Sequence, residues 1–281
     1  MGVLQNKIDF TVIFSVTKAN PNGDPLDGNR PRTDYDGYGE VSDVCLKRKI
    51  RNRLQDFGER IFVQSDDRTD DGCKSLRDRA NSCEEIKKIK KDSQKYAETA
   101  CREWIDVRSF GQVFAFSGVD LSVGVRGPVT IQTAVSAVPI DVTSMQITKS
   151  VNSVTSETKS KTSDTMGMKH RVDFGMYKFS GSINVQLAEK TGFTDEDAEK
   201  IQQALKTLFE NDCSSARPDG SMEIVRIYWW RHNCKTGQYS SAKVHRSVKI
   251  TVDGDGKCID DYTIEYIPLD GLEAEIYNGL Q

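Results

Sequence analysis

Five of the seven residues at positions 47–53 are basic: Lys47, Arg48, Lys49, Arg51 and Arg53. Such side chains suit phosphate oxygens, because an ammonium or guanidinium supplies both hydrogen-bond donors and the opposite charge. The run directly follows a loop that carries Arg30 and Arg32. An ordinary solvated surface is the alternative reading of the same charges. A second basic cluster, Lys169-His170-Arg171, follows Met166-Gly167-Met168. Two methionines there suit the edge of a core. They equally suit a flexible apolar wedge between bases, with Lys169 and Arg171 on neighbouring phosphates. The lysines at positions 87–91 read as a solvated helix face, since Glu84 and Glu85 lie one turn away.

Other chemistry has less to stand on. Asp24, Asp27, Asp34 and Asp36 crowd one loop. A calcium-loop reading begun at Asn20 puts Pro25 where glycine is needed and Pro31 where a bidentate Glu is needed, so it fails. Capping of the loop's own backbone by these carboxylates explains them better. His170, His232 and His245 are far apart in sequence, which leaves a spatially assembled catalytic histidine open. No glycine-rich phosphate loop and no Gly-x-Ser-x-Gly occurs, so nucleotide hydrolysis and serine chemistry lack support. The seven cysteines are scattered, odd in number and never Cys-x-x-Cys. That spacing points to free thiols in a reducing compartment, with no zinc site and no other metal or cofactor.

The 281 residues carry a net charge of −3, which argues against a uniformly basic nucleic-acid binder but leaves room for a local basic groove. Mean hydropathy is −0.55 and no run of about 18 apolar residues occurs, so the expectation is a protein that does not span a membrane. The N-terminus shows no secretory pattern, and Asn6 stands where a myristoylated chain needs Ser or Thr.

The elements that must position these residues follow from periodicity. Residues 7–18 alternate, with Ile8, Phe10, Val12, Phe14 and Val16 on one side and Asp9, Thr11, Ser15 and Thr17 on the other, as in a half-buried strand. The turn dipeptides of residues 20–37 define a shaped loop. Ser42 then caps a helix whose stripe is Leu46, Ile50, Leu54 and Phe57, leaving Lys47 and Arg51 stacked one turn apart on another face. Residues 64–82 read as an exposed polar insertion, and residues 83–104 as one helix. Residues 110–116 and 129–138 read as strands, and residues 141–171 as a long Ser/Thr-rich loop of functional type. A strand covers residues 174–187, with Ile183, Val185 and Leu187 alternating. Thr194 and Asp197 begin a helix, with Phe193 stapled onto Ala198. Residues 222–230 form an apolar strand, and residues 244–252 and 262–267 a terminal hairpin. The order is βαββαβ. The expected class is therefore α+β, a ferredoxin-like or RRM-like core with large insertions.

Several stretches also resemble a known family. They are Asn-Pro-Asn-Gly-Asp-Pro from Asn20, Asn-Arg-Pro-Arg-Thr-Asp from Asn29, and Val-Ser-Asp-Val-Cys-Leu-Lys-Arg-Lys-Ile-Arg from Val41. Further on come Asp-Val-Arg-Ser-Phe-Gly-Gln-Val-Phe-Ala-Phe from Asp106, Gly-Pro-Val-Thr-Ile-Gln from Gly127, and Met-Gly-Met-Lys-His-Arg-Val from Met166. Together they resemble the backbone subunit of the type I-C CRISPR surveillance complex, Cascade. The resemblance implies a right-hand shape with an RRM-like palm, a web at residues 20–40, a finger insertion at 60–106, a thumb at 141–172 and a C-terminal hairpin at 243–267. It implies a non-catalytic, cytoplasmic prokaryotic subunit that polymerises head to tail along guide RNA, each thumb displacing a base. Its expected partners are guide RNA, a target DNA strand, neighbouring copies and other Cascade subunits, with no membrane. The implied RNA contacts are Asn20, Asn22 and Arg32 in the web, and Ser42, Lys47, Arg48, Lys49 and Arg51 on the helix. Arg108 and Gln112 follow the finger, and Lys149, Met166, Met168, Lys169 and Arg171 lie in the thumb. A ribonuclease on the same palm, or a stand-alone RRM-like regulator, are the alternatives.

Overall fold

The computed structural model describes residues 2–89, 91–116, 122–148 and 166–279. Strand β1 (Ile8–Ala19) enters a loop holding the short pair β2 (Gly23–Asp24) and β3 (Arg30–Pro31), then β4 (Tyr38–Val41) leads into helix α1 (Asp43–Asp56). An insertion follows with α2 (Leu76–Ser82), α3 (Glu84–Lys88), α4 (Ser93–Glu103), α5 (Ile105–Phe110) and the hairpin β5 (Gly111–Phe114) and β6 (Val123–Arg126). Next come β7 (Val129–Ile131), β8 (Ala134–Pro139), β9 (Val142–Thr148) and the long β10 (Met166–Ile183). The chain continues through α6 (Val185–Thr191), α7 (Asp195–Lys206), β11 (Met222–Arg231) and α8 (Ser241–His245). It finishes with β12 (Val248–Val252), β13 (Tyr262–Tyr266) and β14 (Ala274–Asn278).

The main sheet is antiparallel in the order β14-β11-β1-β10-β8-β4, with β7 and β9 also paired to β10. Its α-helical side is built by the expected alternation. Ile8, Phe10, Val12, Phe14 and Val16 of β1 meet Leu46, Ile50 and Leu54 of α1, and Ile201 and Leu205 of α7. Burying each such side chain contributes about 1.5–3 kcal/mol, which fixes α1 on the sheet by its apolar stripe. The fold is thus a mixed α and β architecture on a large antiparallel sheet.

The other side of β1 departs from expectation. Asp9, Thr11 and Ser15 are buried rather than solvated. The hairpin of β12 and β13, with α8, covers that face and forms a second core of Ile13, Met176, Tyr228, Trp230, Val244 and Val248. A polar alternation cannot reveal this, because polar side chains that satisfy one another can also be covered. The insertion has a third core, with Phe62, Tyr96, Trp104 and Phe114 in mutual aromatic contact.

Several boundaries change. Residues 76–82 of the polar insertion form α2 and bury Arg79 and Ala80, Phe110 ends α5 rather than opening a strand, and residues 129–138 divide into β7 and β8. Residues 83–104 form two helices, because Asp92 accepts the Lys95 amide and starts α4 afresh. Val185 and Leu187 belong to α6, since Asn184 accepts the Leu187 amide and ends β10. Val244 lies on α8, before the hairpin rather than in it. The Ser/Thr-rich stretch is no bare loop where it is described: Val142–Thr148 pairs with Met166–Val172 as a ribbon. The capping box of Thr194 and Asp197 is present on α7. Among the described residues, no helix is long and apolar enough to cross a membrane.

Candidate nucleic-acid interface

Most of the charge on α1 is already spoken for inside the molecule. Lys49 is 3% exposed, pairs with Asp212, and lies 5.7 Å from the ring centre of Phe209. Burial pushes its ammonium pKa down, and Asp212 works against that shift. Arg51 donates from Nε to Asp106 Oδ2 at 3.0 Å and stacks its guanidinium 5.0 Å over Phe110. Asp106 is fully buried and also accepts the amides of Phe62 and Val63 at 2.7 and 3.0 Å. Arg48 donates to the Val63 carbonyl, and Arg53 pairs with Asp56 and Glu210. Lys47 reaches only Asp43, one turn back, at 2.9 Å. Alanine at Arg51 would therefore not spare the fold, although the residue lies off the apolar stripe.

The web residues hold their own loop in shape. Asn20 is buried and donates to the Asn29 carbonyl at 2.7 Å. The Asn22 side-chain oxygen accepts the Ser42 amide at 2.9 Å, and Ser42 Oγ accepts the Cys45 amide at 3.2 Å. A chain of bonds thus joins the web to the first turn of α1. Arg32 pairs with Asp24 at 3.3 Å. On the far side of the insertion, Arg108 grips Asp197 with two bonds of 2.9 and 2.8 Å, while Gln112 bonds the neighbouring Val113 carbonyl. Arg108 lines a cleft of about 720 Å³ with Arg102, Lys190, Glu98 and Glu189, whose mixed signs do not favour a polyanion.

The ribbon of β9 and β10 is more open. Met166 and Met168 are 62% and 55% exposed. Successive side chains on a strand point to opposite faces, so Met166, Met168 and His170 share one face and Lys169 and Arg171 occupy the other. The two methionines and the two cations are therefore back to back, not one mixed cluster. Arg171 lies 3.7 Å from Asp173. Lys149 lies outside the described residues.

Ser144 and Lys18 near this ribbon escaped the sequence reading, which named Arg30 and His170 without joining them. Arg30 Nη1 donates to Ser144 Oγ at 3.1 Å, and Ser144 Oγ lies 2.8 Å from His170 Nδ1. Lys18, exposed at the end of β1, adopts φ +50°, a left-handed conformation costly for a side chain with a Cβ. Only the period-2 pattern of residues 166–171 hinted that His170 and Met168 share a face.

His232 and His245 do converge, as sequence left open, but on a buried knot. His232 Nε2 lies 2.8 Å from Asp9 Oδ2, and its Nδ1 accepts the Gln238 amide at 3.0 Å. His245 Nε2 bonds the Gly181 carbonyl at 3.1 Å and sits 3.4 Å from Asp9 Oδ1. Burial opposes ionisation of Asp9, yet hydrogen bonds from His232, His245, Ser241 and Lys7 outweigh it and hold the carboxyl far below the usual range. With Nδ1 of His232 occupied by a backbone amide, that ring has no free lone pair to act as a base. The described residues contain no group of three or more His, Cys, Asp or Glu arranged to hold a metal ion.

Known proteins place the chain. It is 26% identical over 254 residues to a CRISPR-associated protein Cas7 of Haloferax volcanii, covering 83% of this chain and 73% of that relative. Its fold is similar to a chain of a solved structure described as a CRISPR RNA-guided surveillance complex, pre-nicking. The TM-score is 0.50 at 16% identity, over 84% of this chain and 81% of that one. A chain of another CRISPR RNA-guided surveillance complex matches with TM-score 0.45 at 17% identity, over 80% and 68%, and adds nothing to that likeness. The model of the family described as CRISPR-associated protein Cas7 matches residues 6–267, nearly the whole sequence, and the chain belongs to that family.

Proposed function

We propose that this chain is a non-catalytic subunit that binds a CRISPR guide RNA, polymerises along it as in the type I-C complex, and presents it to a target DNA strand. The observation that carries the reading is the ribbon Val142–Thr148 with Met166–Val172. It extends β10 beyond the sheet and turns exposed methionines to one side and Lys169 and Arg171 to the other. Such a ribbon can push apolar side chains between bases while cations hold phosphates.

The strand order supports a ferredoxin-like palm. Taking β1, β7 with β8, β10 and β11 as the four core strands gives the spatial order 4-1-3-2, with α1 and α7 as the two crossovers. The sheet face that RRM modules offer to RNA is covered here, for Tyr228 and Trp230 are 1% and 0% exposed. RNA is then left to the projections: the web at 20–40, the thumb at 141–172 and the finger at 60–106. Asn20, Asn22, Ser42, Lys49 and Arg51 shape and brace this groove. Lys47, Lys169 and Arg171 meet phosphates, and Met166 and Met168 meet bases. Arg48, Arg108 and Gln112 act through the backbone they hold, and Arg32 through its pair with Asp24. Contacts of this kind are independent of sequence, as a subunit serving any guide requires, and base pairing with DNA supplies the specificity. The seven cysteines, all free, fit a reducing prokaryotic cytoplasm.

Mass photometry of the purified protein with and without RNA tests the reading. Assemblies that grow with RNA length are expected, and labelled repeat RNA should stay intact in magnesium or EDTA. A monomer under both conditions, or specific cutting, refutes it.

A further inference from the structure

One long stretch of the chain carries no acid. Residues 224–252 contain neither Asp nor Glu, although 42 of the 281 residues are acidic, and they hold six Lys or Arg. Three of the six are engaged: Arg226 bonds Asn278, Arg231 pairs with Asp195, and Lys235 with Glu189. The other three, Lys243, Arg246 and Lys249, are exposed. Among the described residues none of them has a carboxylate within ion-pair distance.

Their backbone is fixed from below. Val244 and Val248 are fully buried against the sheet, and the His245 ring bonds the Gly181 carbonyl at 3.1 Å. Lys243 and Arg246 are three residues apart around α8 and its C-cap, so they stand side by side. Lys249 follows on β12, where alternation turns it away from buried Val248 and toward solvent. The Lys243 ammonium lies 4.2 Å from the ring centre of Tyr239, which orients it without neutralising it. Lys178 of β10 adds a fourth, half-buried cation beside this segment. It donates to the Val248 carbonyl at 3.1 Å, and burial lowers its pKa.

The acids that face this segment are few. Asp9, under α8, is taken up by Lys7, His232 and His245. Glu265 of β13 stands opposite Lys249 in the ladder. Asp253, at the hairpin tip, is four residues beyond Lys249, about 13 Å at about 3.3 Å per residue. That exceeds the screening length of about 8 Å at physiological salt. The patch is also remote from the ribbon. It lies on the sheet face opposite α1 and α7, and along β10 Lys178 is seven residues from Arg171, about 23 Å.

Exposed cations without acids suit a polyanion. Single strands are usually held by cations together with open aromatic platforms. Here Tyr239 already lies under Lys243, with its hydroxyl on the Asp270 carbonyl at 2.8 Å. A duplex keeps its bases stacked inside and presents phosphates. We propose that Lys243, Arg246 and Lys249 form a second nucleic-acid site, on the face away from the ribbon, that holds the phosphate backbone of a DNA duplex irrespective of sequence. The site goes beyond the guide-RNA reading, and each can fail alone.

The test is fluorescence anisotropy of the full-length protein, loaded with RNA, against a labelled DNA duplex unrelated in sequence to that RNA, over a range of salt. Native protein should bind the duplex and lose affinity steeply as salt rises. The Lys243→Gln, Arg246→Gln, Lys249→Gln variant should flatten the slope of log affinity against log salt by about 1.8–2.7, about 0.9 for each of two or three phosphate contacts. Its affinity for single-stranded RNA, measured before loading, should stay within about twofold. No duplex binding by native protein, or an unchanged slope in the triple variant, overturns the site. An equal loss of RNA affinity overturns its separation from the guide groove. Where the triple variant fails to fold, Glu265→Gln decides: it should tighten duplex binding by about twofold, and binding no tighter than native overturns the site. If native protein binds no RNA, the function reading falls, and the duplex result with unloaded protein still decides the site.

Discussion

Helix α1 and the ribbon of β9 and β10 both display dense positive charge in sequence, and the fold uses the two in opposite ways. On α1, Arg48, Lys49, Arg51 and Arg53 each reach a protein acceptor, and Lys49 is nearly sealed from solvent. On the ribbon, Lys169 and Arg171 are half-buried, and Arg171 faces Asp173 at a looser 3.7 Å, with both partners partly in solvent. A cation already paired across a buried contact has no charge left to offer a phosphate, whereas a loosely paired, solvent-facing one does. Charge density along a chain is thus a poor guide to available charge. What decides is whether distant carboxylates come to meet it.

The comparison is broken most directly at Asp106. Asp106→Ala removes the acceptor of Arg51 and of two backbone amides at once, leaving a buried guanidinium unpaired. The expected loss is about 3–5 kcal/mol in urea unfolding. A loss below about 1 kcal/mol would mean that Arg51 is free to serve RNA.

On the ribbon the effect should fall on binding instead. The Lys169→Ala, Arg171→Ala double variant should flatten the slope of log affinity against log salt by about 1.4, about 0.7 for each phosphate contact with single-stranded RNA. Its unfolding free energy should move by no more than about 0.5 kcal/mol. Equal slopes for variant and native protein would place the phosphates elsewhere.

Lys47→Ala sharpens the contrast within α1, because among the described residues Lys47 pairs with Asp43 alone, a single turn away on the same helix, whereas Arg53 adds Glu210 to its own near partner Asp56. A slope change of about 0.7 with a stability change under about 0.5 kcal/mol is expected. A change in neither assigns Lys47 to solvent. The smallest effect belongs to Met166→Ser with Met168→Ser. Side chains this exposed should leave the thermal midpoint within about 2 °C, while affinity for RNA declines. A large drop in midpoint would make them core residues after all.

How legible each part was depended on how far apart its partners lie. The capping box of Thr194 and Asp197 closes within four residues, so sequence sufficed. The stripe of Leu46, Ile50 and Leu54 was likewise local, but Phe57, read as its fourth member, caps the helix and stays exposed beneath Arg53. Lys49 pairs with a residue 163 positions away, and no local pattern forecasts that. Asp9, Thr11 and Ser15 looked solvated because the hairpin that covers them is made by residues after 240. Val185 and Leu187 continued the strand's alternation by accident, and one capping asparagine, Asn184, decided for helix. The paired ends of the ribbon were hidden behind Ser and Thr, which carry no apolar rhythm.

One consequence concerns synthesis. β1 occupies the middle of the sheet, yet Ile8 pairs with Ile183 on one side and Arg231 on the other. β1 therefore leaves a ribosome long before both of the strands that flank it. At about 5–20 residues per second, roughly 10 to 40 seconds pass between the emergence of β1 and that of β11. Throughout that interval the run Ile8-Asp9-Phe10-Thr11-Val12-Ile13-Phe14 is an unprotected, aggregation-prone segment. Slow closure of such distant pairings makes early capture by a chaperone, or translation near other nascent copies, the step on which yield of the native protein depends.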